Sequence, residues 1–160
     1  FQNPHLLAHP ELDPTLKGQS IAQIGRLAYT TSKLCNILCA YELSRLLETQ
    51  EIRTQQQPIT VNVFNPGLMP GSGLAQDYPP LARIVWHFIL PIFRLFPKIN
   101  SIEQSGQALA RLIEDPELEQ VTGKYFSGLQ MIRSSQESYD LDLAQQLWQK
   151  SLELVRFSEE

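Results

Sequence analysis

The sequence predicts an α/β chain, the C-terminal half of a doubly wound parallel sheet. Three observations carry that expectation. Periodic segments alternate helix, strand, helix, strand, helix from residue 27 onward. The run Ile59-Thr-Val-Asn-Val-Phe64 is nearly continuous in β-branched residues, as in a parallel strand covered on both faces. The glycine-rich turn that opens such a sheet and meets a pyrophosphate is missing: only Gly18 and Gly25 precede Tyr29.

Residues 1–26 hold Pro4, Pro10, Pro14, His5 and His9 without sustained periodicity, which predicts an exposed loop or insertion. The spacing predicts a helix over 27–48. Leu34, Ile37, Leu38 and Tyr41 form one apolar stripe, and Ala40, Leu43 and Leu47 form another. Together they cover more than half the circumference, so one side suits the sheet and the other a partner subunit in a homo-oligomer. A glutamine-rich connection leads to the strand at 59–64, which ends in Asn65-Pro66-Gly67.

A long proline-punctuated segment follows, to Asn100. Its apolar centre, 81–96, is too short and too interrupted by Arg83, Pro91 and Arg94 to span a bilayer. Ser101 and Gln104 read as a capping box opening a helix over 102–114. Its expected buried face is Ile102, Ser105, Gly106, Leu109, Leu112 and Ile113, and Asp115-Pro116 stops it. A short strand is expected near 124–127, after Gly123. A last helix over 141–156 carries Leu147, Trp148 and Leu152. The chain thus divides into a loop, 1–26, and one partial domain, 27–160.

With 42% hydrophobic and 19% charged residues, the composition is that of a globular protein. A net charge of -4 with scattered basic residues gives nucleic-acid binding no support. Cys35 and Cys39 sit four apart on one predicted helix, a poor arrangement for a disulfide. No His or Cys elsewhere completes a tetrahedral metal set with them, so no metal is expected. The N-terminal residues lack the basic and apolar regions of a signal peptide, and the expected location is cytoplasmic.

Tyr29 and Lys33 are the pair with chemistry in it. Four residues apart on a helix, they share a face. A free phenol, with pKa near 10, is a poor acid or base at neutral pH. A neighbouring cation favours the phenolate and brings proton transfer within range. Ser32 and Asn36 share the face, where helix-surface hydrogen bonding is as good an account as a direct role. Cys35 points elsewhere, and packing as a small hydrophobe is its expected part.

The string Tyr29-Thr-Thr-Ser-Lys-Leu-Cys-Asn36, followed about thirty residues later by a strand ending in Asn65-Pro66-Gly67, resembles the short-chain dehydrogenase/reductase family. The resemblance runs from about Leu27 to the C-terminus and is nearest the protochlorophyllide oxidoreductase and retinol dehydrogenase-like branch. It implies a Rossmann-like domain whose N-terminal, cofactor-binding half is absent from this chain, together with the family's serine and asparagine. It also implies an NAD(P)-dependent oxidoreductase, NADP(H) being preferred to NAD(H), acting on a carbonyl, an alcohol or an activated double bond of an apolar substrate.

By the same resemblance, Tyr29 is the proton donor or acceptor, and Lys33 lowers its pKa and holds the nicotinamide ribose. Backbone at Pro66, Gly67 and Leu68 contacts the nicotinamide. Gly71 stands where the family usually has threonine, leaving Ser72 either as the substitute or as a plain loop serine. The segment 74–100, with its apolar 81–96 stretch, is a substrate-covering lid in this reading, with contact to a membrane surface as the alternative. The rival class is a non-catalytic half-domain, inactive alone and acting through helix-mediated association.

Overall fold

The computed structural model describes residues 3–49, 59–67, 69 and 100–155. They form two compact units: residues 1–61 with 134–160, and residues 62–133.

In the first unit, the stretch expected as a loop is built from short helical turns. Helix α1 (Pro4–Ala8) and the 3-10 turns Pro10–Leu12 and Pro14–Leu16 each open on a proline. Proline's preset φ suits a first helical position, and its missing N–H would have no partner there. The Asn3 side chain accepts from His5 N–H at 2.9 Å, and Asp13 accepts from Thr15 N–H at 2.8 Å. The loop expectation for 1–26 overlooked these proline-and-cap pairs.

Helix α2 (Ile21–Thr49) begins six residues before the expected Leu27. Ser20 accepts from Gln23 N–H at 3.4 Å while Gln23 Oε1 accepts from Ser20 N–H at 2.9 Å. This is a capping box, and it starts the helix before the apolar periodicity becomes visible. Helix α4 (Leu141–Val155) packs along α2. The seam is Leu38, fully buried, against Leu143, Ala144 and Leu147, flanked by Leu34, Cys35 and Cys39.

The 3-10 turn Gln136–Tyr139 also meets α2. There the Tyr41 and Tyr139 rings stack at 5.5 Å. Tyr41 Oη and Ser134 Oγ lie 2.8 Å apart, and Ser134 Oγ lies 2.6 Å from Ser138 Oγ. Ser138, 2% exposed, donates on to Ser135 O, so this buried polar group has its partners. Glu42, also buried, pairs with Arg45 one turn along α2.

The second unit holds a three-stranded sheet, β1 (Val63–Asn65), β2 (Tyr125–Ser127) and β3 (Gln130–Ile132). Strands β1 and β2 are parallel, with Phe64 opposite Phe126, and helix α3 (Ile102–Glu114) lies between them in the chain. Strands β2 and β3 are antiparallel, so the described sheet is mixed where a wholly parallel one was expected. Gly128, at φ +56°, provides the positive φ of a tight two-residue hairpin. Strand β3 escapes notice in the sequence because all three of its residues are exposed and carry no alternation.

The expected strand at 59–64 is a shorter one, displaced to 63–65. The Asn62 amide bridges to the loop ahead of β2, donating to Val121 O at 2.7 Å and accepting from Lys124 N–H at 3.0 Å. Helix α3 has its expected box: Gln104 N–H donates to Ser101 Oγ at 3.0 Å, and Ser101 N–H donates to Gln104 Oε1 at 2.9 Å. Its covered stripe is Ser105 and Ala108, with Leu112 half-buried. Ile102, Gly106, Leu109 and Ile113 are exposed, against expectation. Small residues allow close approach, and the Ser105 hydroxyl is engaged at the β1 turn, which fixes the rotation of the helix. No described helix is long and apolar enough to cross a membrane.

Candidate active site

Tyr29 sits in the third turn of α2 rather than at its start. At 100° per residue, Leu38 lies about 180° around the helix from Tyr29. Burying Leu38 against α4 therefore turns Tyr29 outward, and it is 58% exposed. Lys33 and Asn36, on the same face, are exposed as well. The Lys33 ammonium stands 5.4 Å from the centroid of the Tyr29 ring. A cation over a ring at an exposed site is worth roughly 0.5–1 kcal/mol, enough to bias the lysine toward the tyrosine while leaving it free to move. Ser32 Oγ donates to Tyr29 O at 2.8 Å, so its hydroxyl serves its own helix.

Cys35 and Cys39 are free thiols packed against the α2–α4 seam. Burial pushes both thiols up, with Cys39 adding to the effect at Cys35 and Glu42 at Cys39. A raised thiol pKa keeps the proton in the native state as pH climbs, while an unfolded cysteine ionises first. Iodoacetamide at pH 8 is therefore expected to alkylate both residues more slowly in the native protein than in urea. Equal rates, read by mass spectrometry of the peptide, would contradict the packing described here.

The second group of candidates lies at the C-terminal end of β1, the end at which open α/β sheets bind their ligands. Asn65 Oδ1 accepts from Gly67 N–H at 3.0 Å, closing a turn over Pro66. Gly67 takes φ +79°, which a residue with a Cβ adopts only at a cost. The Pro66 carbonyl accepts from Asn100 Nδ2 and from Ser105 Oγ, both at 2.8 Å. Asn65 O accepts from Gly128 N–H at 3.0 Å. Asn100 and Ser105 were not singled out as site residues in the sequence; only their proximity to the turn in space marks them.

Leu68, Ser72 and nearly all of the expected lid, with its apolar stretch 81–96, lie outside the described residues. Tyr29 and Lys33 belong to the first unit, Pro66 and Gly67 to the second.

No protein-family model matches the chain. Among curated proteins, it is 32% identical over 151 residues to retinol dehydrogenase 13 of Homo sapiens, covering 94% of this chain and 43% of that protein. Protochlorophyllide reductase A, chloroplastic, of Oryza sativa subsp. japonica is 31% identical over 138 residues, 82% of this chain and 33% of that one. The short-chain dehydrogenase TIC 32 A, chloroplastic, of Brassica napus is 31% identical over 128 residues, 80% of this chain and 36% of that one. The chain spans less than half the length of each of these relatives.

Proposed function

The chain belongs to the short-chain dehydrogenase/reductase family, and on that premise we propose that it works within a longer, nicotinamide-dependent oxidoreductase. The observation that carries the reading is the outward-facing pair on α2, with the Lys33 ammonium 5.4 Å from the Tyr29 ring. When bound, the nicotinamide supplies or accepts the hydride at a carbonyl or alcohol carbon, or at an activated double bond.

In the reductive direction Tyr29 gives its phenolic proton to the substrate oxygen or carbon as negative charge develops there. In oxidation it takes that proton back. Lys33 stabilises the phenolate left behind and, with three donors, holds the ribose hydroxyls. Within the first unit the residues suit such a ligand, the phenol and the ammonium being open on one helix face. Backbone at Pro66, Gly67 and Leu68, together with Ser72, takes the nicotinamide end. The second half of a Rossmann-like sheet is the framework this reading assigns to the chain, on the strength of the β1–α3–β2 unit with its parallel strands.

NADP(H) is preferred to NAD(H) in this proposal, and the substrate is bulky and apolar, as the names of the retinol and protochlorophyllide relatives suggest. Self-association along 27–48 and membrane contact through 81–96 are subsidiary parts of it. The test uses the full-length protein with NADPH, NADH and a series of straight-chain aldehydes. NADPH is expected to bind more tightly than NADH, and its absorbance is expected to fall faster with long aldehydes than with short ones. Failure to bind either nucleotide overturns the reading.

A further inference from the structure

The Pro66 carbonyl has both of its lone pairs engaged by side chains from elsewhere in the chain: Asn100, immediately before α3, and Ser105, in its first turn. Ser105 is 4% exposed and Asn100 half-buried, so both bonds are shielded from competing water. The same turn is held from two more directions, by the Asn65 side chain on Gly67 N–H and by Gly128 N–H on Asn65 O. Gly128 stands against Asn100: a Cβ built there would lie 3.5 Å from Asn100 Nδ2. That is ordinary contact, so its φ of +56°, rather than lack of space, asks for glycine at this position.

A turn needs far less than this to exist. Two donors on one carbonyl fix the plane of the Pro66–Gly67 peptide, and that plane sets where the following backbone groups point. Glycine samples positive and negative φ about equally, so an unclamped Gly67 would let this peptide rotate at little cost. The clamp removes that freedom at the point where the chain leaves the strand.

We propose that Asn100 and Ser105 are positioning residues for the nicotinamide end of the bound dinucleotide, acting through the Pro66 carbonyl to aim the backbone that follows it. The inference rests on the nicotinamide-dependent reading above and deepens it. The clamp bears on one end of the ligand only, so its loss separates two ligands that share the other end.

The experiment compares NADPH with 2′-phospho-ADP-ribose, which keeps the adenine end and lacks nicotinamide, on full-length protein carrying Asn100→Ala, Ser105→Ala or Ser105→Thr. NADH with ADP-ribose serves as a parallel pair. Each alanine variant is expected to weaken reduced-nucleotide binding about five- to ten-fold, the scale of one well-made hydrogen bond. Affinity for the nicotinamide-free ligand is expected to stay at the wild-type value. Ser105→Thr keeps the hydroxyl and is expected to restore reduced-nucleotide binding.

A parallel weakening of both ligands, or no change in either, overturns the inference and leaves the clamp a folding device. Should Ser105→Ala fail to fold, Asn100→Ala at its less buried position makes the same comparison. Wild-type protein that binds none of the nucleotides defeats the dinucleotide reading itself. That result is distinct from a wild type that binds and variants that match it.

Discussion

On the proposed function, replacing Tyr29 by Phe in the full-length protein is expected to lower kcat by roughly 10²- to 10⁴-fold, the usual range for a positioned acid or base. NADPH affinity is expected to change little. Phenylalanine keeps the ring over which Lys33 stands, so the cation contact survives in weakened form and the helix surface is unaltered. Only the ionisable oxygen is lost. Because Tyr29 is exposed and lies on the side away from Leu38, the substitution should leave the melting temperature within about a degree, surface changes being worth less than roughly 0.5 kcal/mol. The measurements are steady-state turnover with the best aldehyde, a nucleotide titration and a thermal melt. A Tyr29→Phe enzyme with kcat within three-fold of wild type would remove Tyr29 from the chemistry, whatever the family resemblance implies.

Leu38→Ala should act in the opposite way, on stability before chemistry. Leu38 is fully buried between Leu143, Ala144 and Leu147, with Leu34 and the two cysteines around it. Truncating a leucine in such a place removes its transfer free energy and leaves a cavity, at a cost of roughly 2–5 kcal/mol. For a domain of this size that corresponds to a fall in melting temperature of about 5–15 °C. It is also a large fraction of the roughly 5–15 kcal/mol that holds a typical domain together. Activity should follow the folded fraction: the face bearing Tyr29 and Lys33 is set by the rotation that buries Leu38, and a variant that still folds keeps that rotation. Circular dichroism melts of wild type and variant decide it. A cost below about 1 kcal/mol would mean the α2–α4 seam collapses around the smaller side chain or contributes little to the unit.

Much of the candidate site's geometry was legible in the residues because it is local. Tyr29 and Lys33 share a face by helical periodicity alone, and Ser101 with Gln104 announces the start of α3 through hydrogen bonds that reach only three residues. The Ser20–Gln23 box carries the same local signal, and reading it would have placed the start of α2 at Ile21. Asn3, Asp13 and the prolines behind them were equally readable as capped turns. The family, too, came from short strings, Tyr29 to Asn36 and Asn65 to Gly67.

Only the tertiary structure decided the rest, because each remaining feature depends on groups far apart in the chain. The exposed stripe of α3 contains Leu109 and Ile113, apolar residues that periodicity assigns to the interior. Which side turns inward is chosen by Ser105 reaching Pro66, thirty-nine residues away. The mixed sheet follows from β3, three exposed residues with no pattern to read. Asn100 is an ordinary polar residue until the fold brings its amide to the Pro66 carbonyl. Local periodicity determined what each segment is and which residues share a face. Long-range hydrogen bonds and close packing determined which face is covered, and so which groups meet at the Pro66 turn.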